Sequence, residues 1–215
     1  MTQTRQMEVW RGEFGRDYTE RNIFEDVDAF NRVFVERFGR SRDDLNQTFV
    51  GHLDRDIRIL EVGANVGNQL HALARMGFRR LYGVELQRDC VNRAHSLFAE
   101  LDIIEGSAFD LPFKDGYFDL IFTNNVLIHI SPNDIDRVFD EMHRCTRQHI
   151  YGAEYYAENW QEVPYRGNND LLWKADYASL MLERFADLEL ERSEILPYLN
   201  EPDLRDRMYL LRKAG

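Results

Sequence analysis

The sequence I-R-I-L-E-V-G-A-N-V-G spans residues 57–67 and decides the fold. A short run of β-branched and apolar residues ends at Gly63, and a second glycine, Gly67, follows four positions later. Residues 68–76 have the apolar spacing of a helix, so the stretch predicts a strand, a tight turn and a helix. Glycines at the carboxyl end of a strand let backbone N–H groups approach a ligand closely, because no Cβ obstructs the approach. The stretch is therefore a candidate cofactor-binding turn.

Strand and helix patterns alternate beyond this turn. The spacing predicts further strands at 80–85, 102–105, 117–123 and 149–153, and helices at 23–38, 88–97, 131–145 and 173–184. Ser131 suits the cap of the 131–145 helix, and Pro132 suits its first position. Two more β-like runs, 188–196 and 207–212, are expected to form an antiparallel hairpin on one edge. This order predicts an α/β fold with a doubly wound, mostly parallel sheet of seven strands.

The bulk properties favour one domain over residues 1–215 and exclude several classes of protein. The length, with 44% hydrophobic and 30% charged residues, suits a single core. The net charge of −11 argues against nonspecific binding of nucleic acid, which needs a basic face. No apolar run approaches the roughly 20 residues that span a bilayer, and the amino terminus lacks a signal-like apolar region, so we expect a cytoplasmic protein. Cys90 and Cys145 form no C-x-x-C pair, so we expect buried thiols and neither a disulfide framework nor a metal site.

The glycine spacing disfavours a dinucleotide cofactor. A nicotinamide or flavin dinucleotide fold is expected to carry G-x-G-x-x-G after its first strand. Counted from Gly63, the second and third glycine positions are occupied by Asn65 and Asn68. An NAD-linked dehydrogenase on the same layout is therefore the weaker interpretation.

An acidic residue and two glycines form a different motif. Glu61 lies two residues before Gly63, and this arrangement resembles motif I of the class I S-adenosylmethionine (SAM)-dependent methyltransferases. Glu85 closes the second strand, where that family places an acid that binds both ribose hydroxyls; a carboxylate can accept two such bonds. Residues 106–119 are similar to the segment that surrounds adenine, and 123–130, T-N-N-V-L-I-H-I, to the segment after strand four.

This resemblance implies a Rossmann-like fold and SAM as the cofactor, with S-adenosylhomocysteine as the product. The family usually has an acid next to the glycine at 106 to accept from the adenine amino group, and here Ser107 replaces it. The hydroxyl, the Ala108 amide or the Phe109 ring are the possible substitutes. The implied cofactor-binding residues are Tyr18, Arg21, Glu61, Gly63, Ala64, Asn65, Gly67, Glu85, Leu86, Ser107, Ala108 and Asn124.

A narrower resemblance extends outside the core. The motifs are W-x-x-E-F-G-x-x-Y-x-x-R-N at 10–22, G-A-N-V-G-N at 63–68, V-L-I-H-I at 126–130, A-E-Y-Y at 153–156 and V-P-Y-R-G at 163–167. They are similar to the methyltransferases associated with pseudaminic acid biosynthesis. The resemblance implies a small-molecule methyltransferase linked to nonulosonic acid or related sugar pathways.

Residues 1–40 are expected to form an arm and helix that cap the cofactor site, with Tyr18 or Arg21 reaching the methionine carboxylate. The alternative is a surface arm with a solvated arginine. His129 is either a general base or a core histidine bonded to a backbone carbonyl. Glu154 is a candidate base or acceptor-orienting group, or else a salt-bridge partner. Tyr18, His129 and Glu154 are thus the candidate catalytic residues.

Residues 154–172 are expected to form a substrate-side loop. Arg166 suits a clamp for a carboxylate or phosphate of a small anionic acceptor. Trp173 extends that pocket or anchors a helix. The candidate substrate-binding residues are Tyr155, Tyr165, Arg166 and Trp173. Two other functions fit the same motifs: a catalytically silent SAM-binding partner in a biosynthetic complex, and a methyltransferase for a non-sugar natural product.

Overall fold

A computed structural model describes residues 3–214. Helices come first along the chain, and strands alternate with helices from residue 58 onward. Residues 1, 2 and 215, the ends of the predicted arm and domain, lie outside the described part. The helices are α1 (Arg5–Arg11), α2 (Glu13–Arg21), α3 (Val27–Phe38), α4 (Arg42–Val50), α5 (Asn68–Arg75), α6 (Arg88–Leu97), α7 (Ile135–Cys145) and α8 (Tyr177–Arg184). The strands are β1 (Arg58–Val62), β2 (Arg80–Glu85), β3 (Asp102–Glu105), β4 (Phe118–Asn124), β5 (Thr146–Tyr155), β6 (Gln161–Glu162), β7 (Trp173–Lys174), β8 (Leu188–Pro197) and β9 (Arg205–Lys213).

The main sheet has seven strands in the order β3-β2-β1-β4-β5-β9-β8. The strands β1 to β5 pair in parallel, and β9 runs antiparallel to both β5 and β8. Strand order reverses between β1 and β4, so their carboxyl ends open a crevice at the point where such sheets bind ligands. The predicted fold class and the antiparallel hairpin are confirmed.

Helices cover both faces of this sheet. Along β4, Phe118 and Ile121 pack with α7 and α8, whereas Leu120 and Phe122 pack with the helices α3 to α6. A strand buried on both faces is expected to be almost continuously apolar, as β4 is. Both cysteines are buried free thiols, as expected, and burial raises the pKa of each to about 11. None of the helices in residues 3–214 combines the length and apolar composition needed to cross a membrane.

Three helices begin later than the periodicity predicts, and a side-chain cap sets the start of two of them. The side chain of Asp26 accepts from the Ala29 amide, so α3 starts at Val27 and not at residue 23. The Ser131 segment forms a turn, and α7 starts after Asp134. The Asp176 side chain caps α8, and the residues expected to begin that helix, from Trp173, form β7 instead.

The structure adds a helix that the apolar spacing does not reveal. The polar segment after Gly39 contains α4, which opens with a reciprocal capping box between Ser41 and Asp44. Gly39 itself adopts a left-handed conformation with φ 72° and ends α3, as expected. Helix α4 therefore begins almost at once after α3 and packs against it and against α5.

The predicted arm, residues 10–22, is ordered and consists of the end of α1 and all of α2. Helix α2 lies against α6, where Glu20 pairs with Arg93 and the Thr19 hydroxyl lies 3.0 Å from the Cys90 sulfur. Beside it, the side chain of Asn68, the first residue of α5, donates to a carbonyl at the end of the arm at 2.8 Å. The arm is thus fixed to the helix that follows the glycine turn.

Candidate active site

The turn after β1 needs left-handed backbone at three of five positions, at Gly63 (φ 77°), Asn65 (φ 48°) and Gly67 (φ 88°). A Cβ on Gly63 would lie 2.5 Å from a Val126 methyl carbon, so this glycine permits a close approach between the turn and the segment after β4. A Cβ on Gly67 would instead meet core side chains at 2.9 Å. Gly63 therefore shapes the site, whereas Gly67 begins α5 behind it.

A cavity of about 540 Å³ opens beside this turn, at the carboxyl ends of β1 to β5. Helices α1, α2 and α3 and the loop between β6 and β7 form its other walls. Residues far apart in the sequence meet here because parallel strands end at the same edge of a sheet. The predicted residues that line the cavity are Tyr18, Arg21, Glu61, Gly63, Ala64, Asn65, Glu85, Leu86, Ser107, Ala108, Asn124, His129, Tyr155, Tyr165 and Arg166.

Three predicted site residues do not line the cavity: Gly67, Glu154 and Trp173. Glu154 is only 1% exposed, and its carboxyl oxygens accept from the backbone N–H groups of Val126 and Ile128 at 3.3 and 3.4 Å. Burial raises its pKa to about 8. Its expected direct contact with an acceptor is not found, and within residues 3–214 it forms no salt bridge either. Its side chain instead braces the segment after β4.

Trp173 is also buried, and of its two predicted roles the structure supports the anchor and not the substrate-binding residue. It lies in β7, opposite Glu162 of β6, and its carbonyl accepts from the Tyr177 hydroxyl at 3.0 Å. This contact joins the residue to the first turn of α8. Trp173 therefore anchors the substrate-side loop, and it does not extend the pocket.

The floor of the cavity is acidic. Glu61 is 2% exposed, and its Oε2 has no partner in residues 3–214. The two oxygens of Glu85 accept from the backbone N–H groups of Asn65 and Gln87 at 2.8 and 2.9 Å. Burial raises the pKa of both carboxyl groups. A positively charged ligand with hydrogen-bond donors would stabilise their ionised forms.

Further acceptor oxygens without partners face the same region: the buried side-chain oxygens of Asn65, Gln87 and Asn125. Buried acceptors are normally satisfied, so such a group beside a cavity indicates a ligand or water that donates hydrogen bonds. The Ser107 hydroxyl already accepts from the Phe109 amide at 3.2 Å. Ser107 therefore fixes its own loop and leaves that amide unavailable to a ligand.

The mouth of the cavity is basic. The side chains of Arg21, Arg37 and Arg166 line it, and none has a carboxylate within salt-bridge distance in the described part of the chain. Arg166 has a left-handed backbone (φ 49°) in a turn that is closed by Tyr165 and Asn168. Non-glycine residues in this conformation are often found at functional sites. The acidic floor and the basic mouth divide one cavity by charge.

Arg37 is a lining residue that the sequence analysis missed. It follows Phe30 by seven positions and Phe34 by three, so all three lie on one face of α3. The spacing of Phe30 and Phe34 predicts a packed helix face, and both residues also line the cavity. The sequence signal for Arg37 is that it continues this apolar face with a charged side chain.

The arm and the substrate-side loop form the roof together. The ring of Trp10 lies 4.5 Å from that of His129, and the ring of Phe14 lies 5.7 Å from that of Tyr165. An ion pair of 2.8 Å between Arg5 and Asp170 joins α1 to the same loop. The tyrosine of the arm, Tyr18, lies beneath this roof, and burial raises its pKa far above the ordinary value, so its hydroxyl stays protonated. The roof separates the cavity from bulk water on this side.

His129 is at once buried, bonded to a carbonyl and part of the cavity wall. Its Nδ1 lies 2.6 Å from the carbonyl oxygen of Leu171, so Nδ1 carries the proton and donates. Burial lowers its pKa to about 4, and the ring is neutral at pH 7. The second nitrogen, Nε2, makes no hydrogen bond within residues 3–214 and is left as an acceptor. The geometry is therefore compatible with both predicted roles of His129, the core histidine bonded to a carbonyl and the general base.

The low pKa of His129 predicts a dependence of stability on pH. The folded-state pKa lies below the ordinary value of 6.5, so the neutral ring favours folding above pH 6.5, and this contribution is lost as pH falls from 6.5 towards 4. We expect the wild type to lose up to about 3 kcal/mol in this window relative to His129→Asn, which keeps a donor for the Leu171 carbonyl. Urea unfolding of both proteins at a series of pH values measures this difference. If the free energies of unfolding of the two proteins change in parallel with pH, the prediction is wrong.

Comparison with known proteins finds a family model and curated relatives that are similar to parts of this chain. Residues 60–151 match the family model described as a methyltransferase domain. The chain is 28% identical over 179 residues to 24-methylenesterol C-methyltransferase 2 from Oryza sativa subsp. japonica, which covers 80% of this chain and 42% of that protein. The present chain spans less than half the length of the curated relatives that it matches.

Solved structures show the same fold. The 1,6-didemethyltoxoflavin-N1-methyltransferase of Burkholderia thailandensis, with bound 1,6-didemethyltoxoflavin and S-adenosylhomocysteine, has a TM-score of 0.71 and 17% identity, covering 100% of this chain and 93% of its own. The [4+2]-cyclase SpnF has a TM-score of 0.63 and 19% identity, covering 86% and 82%. Residues 60–151 thus match a methyltransferase domain, and the solved structures show that the chain shares their fold.

The residues of this cavity fit SAM. The molecule carries positive charge on its sulfonium and ammonium groups, and donors on its ribose and adenine. The unpartnered oxygen of Glu61 and the other free acceptor oxygens of the floor match this pattern. Gly63 and Ala64 of the turn both line the cavity, so the turn lies within reach of a ligand there. The fit thus rests on charge and on hydrogen-bond donors.

Proposed function

We propose that this protein transfers a methyl group from SAM to an oxygen or nitrogen of a small anionic metabolite. The division of one cavity into an acidic floor and a basic mouth carries the proposal. The carboxyl groups of Glu61 and Glu85 suit a cationic cofactor, which would stabilise their ionised forms, and the three free arginines suit an anionic acceptor. The net charge of −11 makes such a local basic group informative, because the chain as a whole carries an excess of negative charge.

The cofactor end is assigned from the residues of the floor. Glu85 would accept from the ribose hydroxyls, Ala108 and the Phe109 ring would contact adenine, and Tyr18 or Arg21 would hold the methionine carboxylate. When bound, SAM supplies an electrophilic methyl group on a positively charged sulfur. The protein then contributes mainly by fixing the two reactants in line, which can supply roughly 7 to 11 kcal/mol of the barrier.

The acceptor end is assigned to the mouth and to the wall next to it. Arg166 and Arg37 would hold a carboxylate or phosphate, and Tyr155 and Tyr165 would contact the body of the acceptor. His129 can receive a proton from a hydroxyl at Nε2, whereas a neutral amine needs no base. Its low pKa makes it a weak base, so an amine or an already acidic hydroxyl suits this site best.

The proposed acceptor class is a nonulosonic acid, a sugar or a sugar nucleotide, each with an acidic group, and the proposed compartment is the cytoplasm. Two motifs far apart in the chain support this class, since the arm motif and the V-P-Y-R-G motif of residues 163–167 meet at the roof. A non-sugar natural product with a carboxylate would satisfy the same charges. We propose neither nucleic acid nor a membrane component as the acceptor.

A second candidate is a SAM-binding protein without methyl transfer, acting as a partner in a biosynthetic complex. The [4+2]-cyclase SpnF shares this fold, and its name describes a cyclisation and not a methyl transfer. This observation supports the second candidate. The fold therefore accommodates chemistry other than methyl transfer.

A mass-spectrometric screen tests the proposal. Purified protein with SAM is incubated with nonulosonic acids, sugar nucleotides, amines and non-sugar carboxylic acids, and products are examined for the mass gain of a methyl group. We expect turnover with an acidic acceptor and at least about tenfold slower turnover with its neutral methyl ester, because a charge-assisted bond is lost. Calorimetric binding of SAM without turnover on the whole panel would favour the second candidate.

A further inference from the structure

Arg42, in α4, is buried although it carries a charge. It is 1% exposed and has no carboxylate within salt-bridge distance among residues 3–214, and its Nε has no hydrogen-bond partner there. Its guanidinium carbon lies 5.3 Å from the centre of the Phe34 ring and 5.8 Å from that of Tyr151, so two aromatic faces hold it in place. A charge buried in this way is costly and is retained where it has another role.

The one side-chain hydrogen bond of this guanidinium points to the cavity. Its Nη1 donates to Oδ1 of Asn124 at 3.0 Å, and Asn124 lines the cavity at the end of β4. An amide whose oxygen is held from behind presents its NH₂ group in the other direction. Arg42 thus determines which end of the Asn124 side chain faces a ligand.

The charge of Arg42 also acts on Glu61. Burial and the neighbouring Glu85 raise the pKa of the Glu61 carboxyl, and Arg42 is the positive group that lowers it. The two side chains form no salt bridge, so the Oε2 of Glu61 stays free at the cavity floor. A free carboxylate is the form that attracts a cation.

We infer that Arg42 is a positioning residue for the cofactor end of the cavity, which orients the Asn124 amide and favours the ionised form of Glu61 towards a cationic ligand. This inference rests on the proposed binding of SAM. It extends the site to α4, which lies outside the segment that matches the methyltransferase domain. The residue acts through Asn124 and Glu61, and it does not itself line the cavity.

Other ionisable groups near this pair must be separated from Glu61 in any test. Glu85 of β2 faces Glu61, and Asp206 of β9 lies within the influence of both Arg42 and Arg37. Burial raises the pKa of Asp206 to about 7. Tyr151 of β5 packs on Arg42, and burial raises its pKa, so it stays neutral at pH 7.

The test measures SAM affinity by calorimetry between pH 5 and 9. SAM favours ionised Glu61, so affinity rises with pH through the titration of this group in the free protein. Arg42→Met keeps the length of the side chain and removes the charge. We expect the midpoint to move upward by about one pH unit or more, with at least about tenfold weaker binding at pH 7. Arg42→Lys keeps a positive charge and is expected to shift the midpoint less than Arg42→Met.

Three further variants identify the titrating group. Glu61→Gln, with Arg42 intact, should remove the midpoint, whereas Glu85→Gln and Asp206→Asn should each retain it. A folded Arg42→Met protein with the wild-type midpoint would overturn the inference, as would a Glu61→Gln protein that keeps the midpoint even where Arg42→Met fails to fold. Wild-type protein that does not bind SAM at any pH would instead overturn the proposed function.

Discussion

Glu85→Ala is expected to weaken SAM binding by about 1.5 to 3 kcal/mol, roughly tenfold to 150-fold, because the charged acceptor for two ligand hydroxyls is lost. The carboxylate closes β2 at the floor of the cavity and is almost completely buried. Isothermal titration calorimetry with SAM measures the change.

The matched control for this substitution is Glu105→Ala. Glu105 closes the neighbouring strand β3 directly opposite Glu85 in the register, but its side chain is exposed and pairs with Arg88 at 2.7 Å. We expect the Glu105→Ala protein to bind SAM with the affinity of the wild type. Glu85 also accepts two backbone N–H bonds, so thermal melting must show that the variant is folded. A folded Glu85→Ala protein with unchanged affinity would exclude the ribose assignment.

Gly15→Ala is expected to open the roof of the cavity and to weaken SAM binding by at least about tenfold. A Cβ at this position of α2 would overlap the carbonyl oxygen of Trp10 and lie 2.7 Å from the Oε1 of Gln87. The first of these atoms belongs to the backbone and cannot rotate away. Relief therefore requires α1 and α2 to separate, at a cost on the scale of 1 to 3 kcal/mol for overpacking.

Alanine is a better helix former than glycine, so a loss of affinity in Gly15→Ala cannot arise from helix propensity. Gly12→Ala, in the same arm, is the matched control, because its nearest contact would be 3.3 Å from the Val9 carbonyl oxygen. We expect Gly12→Ala to bind SAM almost as the wild type does. Calorimetry measures both variants, and hydrogen exchange of the arm shows whether it has come loose. If Gly15→Ala binds SAM normally, the arm is not a cap of the cofactor site.

The sheet could be predicted because periodicity and turn residues report on it locally. The apolar runs located all seven strands of the sheet. The turn after β1 needs a left-handed backbone at Gly63, and the glycine spacing in the sequence already indicated a turn there. Acids at the ends of two strands, Glu61 and Glu85, followed from the same topology, since parallel strands bring their carboxyl ends together. For the cofactor end, therefore, sequence position alone predicted spatial proximity.

The features that were missed depend on contacts between distant residues. Helix α4 is polar in sequence, and its Arg42 is buried only because Phe34 and Tyr151 enclose it. Glu154 was expected near an acceptor because it follows a strand end. The pleat turns its side chain to the backbone of the segment after β4 instead.

The sequence by itself determined the mostly parallel sheet with its edge hairpin, the candidate cofactor turn and the acids beside it, because these depend on local spacing and on the rules of parallel pairing. Only the tertiary structure decided which of the candidate residues share a cavity, that Arg37 belongs to its mouth, and that His129 is held by Leu171 as a neutral acceptor. The physical reason is burial: a side chain acquires its charge state and orientation from neighbours that the fold supplies, and those neighbours lie far away along the chain.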